Sequence, residues 1–141
     1  MELHKALNLL SLARKGGRIE VGEEPVGAVA RAGKARLIVV ASDASDHTLR
    51  RVQSFVAGTR QPWVQLPFDK EQLGQSVGRT ACAVAALTDA ALALAFVKAL
   101  DDPAAHGALL EELEEKVRRI RQRQSEQKAH RNNIRHGKKK S

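Results

Sequence analysis

Residues 14–43, RKGGRIEVGEEPVGAVARAGKARLIVVASD, hold this chain to an alternation of short strands and helices. Gly16-Gly17, Gly22 and Gly33 punctuate the segment, and glycine tolerates the positive φ that ends a helix or turns a chain. Between them, Arg18–Val21 alternates polar and apolar like a half-buried strand. Glu23, Glu24 and Pro25 suit a helix start, because acids complement the dipole there and proline lacks a donor that would go unpaired. That helix is expected to run to about Ala32. Leu37–Ala41, LIVVA, is then a continuous apolar run of the kind required by a strand covered on both faces. It delivers the chain into the polar Ser42–Ser45 loop, and loops at the carboxyl ends of strands are where α/β sheets bind ligands.

The alternation extends in both directions. Leu3, Ala6, Leu7, Leu10 and Ala13 recur at helical spacing ahead of Gly16. Ser45 or Asp46 can cap a third helix through about Ala57, and Pro62–Pro67 encloses the short strand WVQL. Asp69 and Gln72 have the spacing of a capping box for a helix through Val77. Ala81–Leu87 reads as a second buried strand, and Thr88 as the cap of a fifth helix whose Leu92, Phe96, Val97 and Leu100 face the sheet. This order predicts an α/β fold, a three-layer α/β/α sandwich with a small mixed four-stranded sheet, over residues 1–100. With 141 residues, 43% of them apolar, the chain can bury one such core.

Composition changes beyond Leu100. Residues 101–115 carry six acids and no Lys or Arg, whereas 116–141 carry eleven Lys or Arg and one Glu. Residues 101–141 are thus an acidic-then-basic C-terminal extension, helical or disordered. Asp102 and Pro103 can open a helix whose stripe of Leu110, Leu113, Val117 and Ile120 docks on the preceding domain or stays marginal. Glu112, Glu114 and Glu115 stand four residues before Lys116, Arg118 and Arg119, a spacing that pairs charges along a helix. From Gln124 no apolar face remains, and the last residues are expected to be disordered.

A net charge of +8 favours a polyanionic partner, nucleic acid first, and the terminal KAHRNNIRHGKKKS attracts phosphates without carrying a sequence code. Cys82 is the one cysteine and sits in the apolar ACAVAAL, so it reads as a core residue of a protein from a reducing cytoplasm. The opening MELHKALNLLSLARK reads as an amphipathic helix rather than a leader, and the longest apolar run is too short for a bilayer. A soluble, cytoplasmic protein with no membrane partner is expected. His4, His47, His106, His130 and His136 lack metal-ligand spacing, and the glycines match neither the P-loop nor the dinucleotide fingerprint. No metal, cofactor, small-molecule substrate or catalysis is expected. Phe55, Trp63, Phe68 and Phe96 are too scattered for the paired aromatic platform on which sheet-based readers stack bases.

Four blocks, LNLLSLARKGGRIEVGEEPV, GKARLIVVASDAS, KEQLGQSVG and AVAALTD, stand in an order that resembles the L7Ae/L30e ribosomal protein family, nearest its bacterial YlxQ-like branch. The resemblance spans about residues 3–100 and implies a non-catalytic RNA-binding protein of the kink-turn type. In that family the start of the second helix enters the widened groove of the kinked RNA, typically with Gly-Thr-Asn-Glu. Here the four are Gly22, Glu23, Glu24 and Pro25, and a lysine one turn later is Ala28. A carboxylate in that place replaces amide donors and repels phosphate, while the backbone N–H groups of Gly22, Glu23 and Glu24 remain to receive an anion. Lys70 matches the lysine of the family's SK-x-x-LG pattern. Where the family has an apolar loop, only Arg79 and Thr80 separate Gly78 from the expected strand, and Arg79 can stack on a base or meet a phosphate.

The candidate RNA contacts are therefore Lys15, Arg18, Gly22, Glu23, Glu24, Arg31, Lys34, Lys70, Arg79 and Thr80, with Gly22 to Glu24, Lys34, Lys70 and Arg79 forming one edge. The implied partner is structured or ribosomal RNA, with ribosome or translation proteins beside it. Two other readings use the same fold. One is a protein-interaction adaptor in translation or ribosome assembly, working through the acidic GEE start and the 103–123 helix. The other is a substrate-binding domain serving a separate RNA-modifying enzyme.

Overall fold

Four short strands order the rest of the chain. In the computed structural model, which describes residues 3–139 and the side chains of 4–132, β1 (Ile19–Val21), β2 (Leu37–Val40), β3 (Trp63–Gln65) and β4 (Val84–Leu87) form one sheet in the order β1-β4-β2-β3. β4 runs antiparallel to both β1 and β2, whereas β2 and β3 are parallel, so the sheet is mixed. Val21 stands opposite Ala85, and Val40 lies between Val84 and Gln65. The carboxyl ends of β1, β2 and β3 consequently share one end of the sheet.

Helices cover both faces, giving the expected α/β/α sandwich. α1 (Leu3–Lys15), α4 (Lys70–Ser76) and α5 (Ala90–Leu100) close over Leu37, Val39, Ala85 and Leu87. α2 (Glu23–Arg31) and α3 (Asp46–Val56) close over Ile38, Val40, Val84 and Ala86. Alternate residues of β2 thus serve opposite cores, which is why LIVV is apolar at every position. Phe96 is wholly buried in the first core, and burial of such a side chain contributes about 2–3 kcal/mol.

Three expectations are corrected. β4 begins at Val84, not Ala81, because residues 79–83 bend across α4: Cys82 N–H donates to Lys70 O (2.9 Å), and Ala83 O accepts from Ala41 N–H (2.9 Å). The cap of α5 is Asp89, whose carboxylate accepts from Leu92 N–H (2.9 Å), rather than Thr88, whose N–H is engaged with Arg18 O. α6 runs from Pro103 to Lys139, well past Gln124. It has no proline after its first residue, is rich in straight-chain Arg, Lys, Gln and Glu, and pairs Gln122 with Glu126 at i,i+4, all of which favour helix without an apolar face. Its Leu113 and Val117 are buried, so the packed region continues beyond residue 100. The two final residues of the basic tail, the side chains after Asn132 and that of Leu3 lie outside the described residues. Among those described, no helix is long and apolar enough to cross a membrane.

Candidate nucleic-acid interface

Because β1, β2 and β3 end together, α2, α3 and α4 begin together, and three helix N-termini with their partial positive charge gather at one end of the sheet. Two are capped by side chains. Ser45 Oγ accepts from Thr48 N–H (3.2 Å), and Asp69 and Gln72 form the capping box that the sequence predicts, at 2.8 and 3.0 Å. α2 is different. Its cap is Gly22, which has no side chain, and the N–H groups of Glu23 and Glu24 meet no protein acceptor among the described residues. Gly22 adopts φ 101° and ψ 160°, a region essentially closed to other residues, so glycine is required for the chain to turn from β1 into α2. The Gly22 N–H donates to Val84 O (3.0 Å), which leaves two open amides instead of the three expected.

The acids at this start are drawn sideways. Glu23 accepts from Thr48 Oγ1 (2.9 Å), and the Arg51 guanidinium stands 3.9 Å from Glu23 and 3.7 Å from Glu24 while lying over the Phe55 ring. Thr48 and Arg51, both on α3, thus offset part of the negative charge beside the open amides. The sequence shows their three-residue spacing, but that this face of α3 meets α2 is settled only by packing.

Lys70 and Arg79 approach from the other side. Lys70 N–H donates to Asp43 Oδ1 (2.8 Å), tying the start of α4 to the loop after β2. Arg79 N–H donates to Gly74 O (2.8 Å). A Cβ on Gly74 would lie 2.7–2.9 Å from the Ala81 backbone, so glycine alone lets residues 79–83 cross α4 this closely. Lys70, Arg79 and Thr80 are exposed, and Cys82 is buried beneath them with its thiol donating to Val84 O (3.2 Å). Burial pushes the Cys82 thiol up, against the opposing pull of the Val84 backbone, the Arg79 charge and the Gly22 amide. Cys82 is thus a shielded thiol of the core rather than a nucleophile.

The remaining sequence candidates lie at the opposite end. Lys15 closes α1, Arg18 precedes β1, Arg31 closes α2 and Lys34 leads into β2. The four residues of β2, roughly 10 Å of strand, separate them from Gly22 to Glu24, Lys70, Arg79 and Thr80. Arg18 is paired with Asp89 (2.8 Å). The single edge that includes Lys34 is thus two groups, divided because α2 itself carries the chain from one end of the sheet to the other.

Residues 4–93, which take in the whole sheet and both groups, match the ribosomal protein L7Ae/L30e/S12e/Gadd45 family. The RNA-binding protein YlxQ of Enterococcus faecium is 35% identical over 75 residues, covering 53% of this chain and 72% of that protein. The RNA-binding protein YlxQ of Bacillus subtilis (strain 168) is 30% identical over 93 residues, 66% of this chain and 92% of the relative. Among solved structures, a protein of unknown function from Bacillus halodurans has a TM-score of 0.64 at 26% identity, covering 70% of this chain and 98% of its own. The Giardia lamblia 15.5kD RNA binding protein, at TM-score 0.60 and 21% identity over 80% of this chain and 91% of its own, shares the fold. The extent of the family match and the near-complete coverage of the Bacillus subtilis relative show that this chain belongs to the ribosomal protein L7Ae/L30e/S12e/Gadd45 family.

Proposed function

We propose that this protein is a non-catalytic, cytoplasmic RNA-binding protein that takes structured RNA, kink-turn-like or ribosomal, at the sheet end where α2, α3 and α4 begin. Family membership and the RNA-binding names of its relatives support RNA as the ligand. The observation that carries the choice of site is the uncapped start of α2, whose two open N–H groups stand at the same end of the sheet as the exposed Lys70 and Arg79. Backbone amides aimed along a helix dipole receive a phosphate oxygen, and the two cations neutralise its neighbours on the strand. With a carboxylate at Glu24 in place of an amide side chain, recognition leans on backbone shape and phosphate position more than on base edges. The basic end of α6 adds phosphate attraction that falls with salt.

Fluorescence anisotropy of the full chain against a kink-turn RNA, a plain RNA duplex and a DNA duplex, over a series of salt concentrations, tests this reading. Kink-turn RNA is expected to bind tightest. The Lys70→Gln/Arg79→Gln variant is expected to weaken it about tenfold and to lower the salt slope by about two. Equal affinity for all three ligands, or an unchanged double variant, overturns the assignment.

A further inference from the structure

At the far end of the sheet, α6 passes the start of β2 and the α3–β3 connection and leaves an open cleft of about 780 Å³. Arg36, Arg60, Lys116, Arg119 and Arg123 line it, together with Ile120 and, nearer the acidic part of α6, Glu111, Glu112 and Glu115. Lys116, Arg119, Ile120 and Arg123 fall at i, i+3, i+4 and i+7, so one face of α6 brings three cations to the cleft a turn apart. Across from them, Arg36 is held in place by its N–H donating to Leu87 O (2.8 Å).

Charge within the cleft is uneven. Glu115 is engaged by Arg118 (2.7 Å) and Arg119 (3.2 Å), while Arg36, Arg60, Lys116 and Arg123 have no ion-pair partner among the described residues. Burial and the facing guanidiniums of Arg36, Arg119 and Arg123 hold the Lys116 ammonium below the ordinary lysine value. Clustered guanidinium forks meet phosphate oxygens in pairs, and cations repeated along a helix face can follow successive phosphates of one strand.

We propose that this cleft binds the phosphate backbone of a second RNA segment, so that the protein holds RNA at both ends of its sheet. The proposal rests on the RNA-binding reading above but uses none of the side chains at the end of the sheet where α2, α3 and α4 begin. Its test is the full chain carrying Lys116→Gln/Arg123→Gln, set against Arg121→Gln/Lys128→Gln, which removes equal charge from exposed α6 positions outside the cleft. Anisotropy is read with a fluorescent kink-turn RNA bearing long duplex arms, and thermal unfolding verifies that both variants fold.

The cleft variant is expected to bind about five- to tenfold more weakly with a salt slope lower by about two, and the control to lose less than about twofold. Equal losses in the two variants would mean diffuse attraction and overturn the site. No loss in the cleft variant overturns it as well, while the RNA-binding reading stands if Lys70→Gln/Arg79→Gln still weakens the complex. A wild-type chain that binds no RNA sinks both. Excess ATP that abolishes the difference between the wild type and the cleft variant would assign the cleft to free nucleoside triphosphates and overturn RNA as its ligand.

Discussion

At the end of the sheet where three helices begin, close backbone contacts shape the surface; at the other end, side chains do. Gly22 turns β1 into α2 with a backbone conformation that only glycine holds comfortably, and Gly74 lets residues 79–83 press against α4. At the far end, Gln61 reaches between two elements, donating to Ala30 O and accepting from Ala35 N–H, each at 2.9 Å, while Arg18 pairs with Asp89. The difference teaches that the two proposed sites would receive an anion differently, the first through preset amides and the second through side-chain cations. Open N–H groups belong to the first end, and the cluster of Arg36, Arg60 and Arg123, unpaired among the described residues, to the second.

Breaking the first end is expected to have the largest effect. Gly74→Ala pushes a methyl into the Ala81 backbone at 2.7 Å, and neither α4 nor the crossing segment can yield without moving the other. Urea unfolding is expected to show a loss of about 2–3 kcal/mol, the scale of overpacking a tight contact. RNA affinity should fall with it, since Arg79 and Thr80 ride on the displaced segment. A stability change within about 0.5 kcal/mol, the range of ordinary surface substitutions, would show that this approach is not tight in solution.

At the second end, Gln61→Ala leaves the Ala35 N–H without its acceptor and takes one of two donors from the Ala30 carbonyl, which keeps the Gly33 N–H at 2.9 Å. The expected loss is about 1–2 kcal/mol, because the partly buried amide loses its acceptor and water replaces only some of the bonding. RNA affinity should move far less than in Gly74→Ala. An equal fall in affinity would mean that the two ends are not independent.

How much of this was legible follows the same division between local and distant. The capping box of Asp69 and Gln72, the Gly22 turn and the LIVVA strand are visible because each depends on residues within a few positions. The order β1-β4-β2-β3 is not, since β4 pairs with β1 across more than sixty residues and no local pattern encodes that partner. Lys34 lies twelve positions from Gly22, and nothing in that interval states that a nine-residue helix will span the sheet between them. Thr88 and Asp89 are neighbours that can both cap a helix, and Asp89, the better capping residue, takes the position while Thr88 N–H is engaged with Arg18 O. The far-end cleft was illegible for a further reason. Its walls are Arg36, Arg60 and α6, and the reach of α6 leaves no apolar stripe to be read beyond Ile120.

The smallest predicted effect sharpens the comparison most, because it alters a single charge at the α2 start and no packing. The Glu24 side chain is 84% exposed and 3.7 Å from Arg51, so Glu24→Gln removes a carboxylate next to the open amides without creating a cavity. Affinity for kink-turn RNA is expected to rise about twofold at low salt, in keeping with the small energy of one exposed charge, and the gain should fade as salt screens it. Arg51→Gln should act in the opposite sense by leaving Glu23 and Glu24 unopposed. Together the pair forms a double-mutant cycle in which the loss from Arg51→Gln shrinks once Glu24 is neutral. If neither substitution changes affinity at any salt concentration, phosphate does not approach the start of α2, and RNA is held by side-chain cations at both ends.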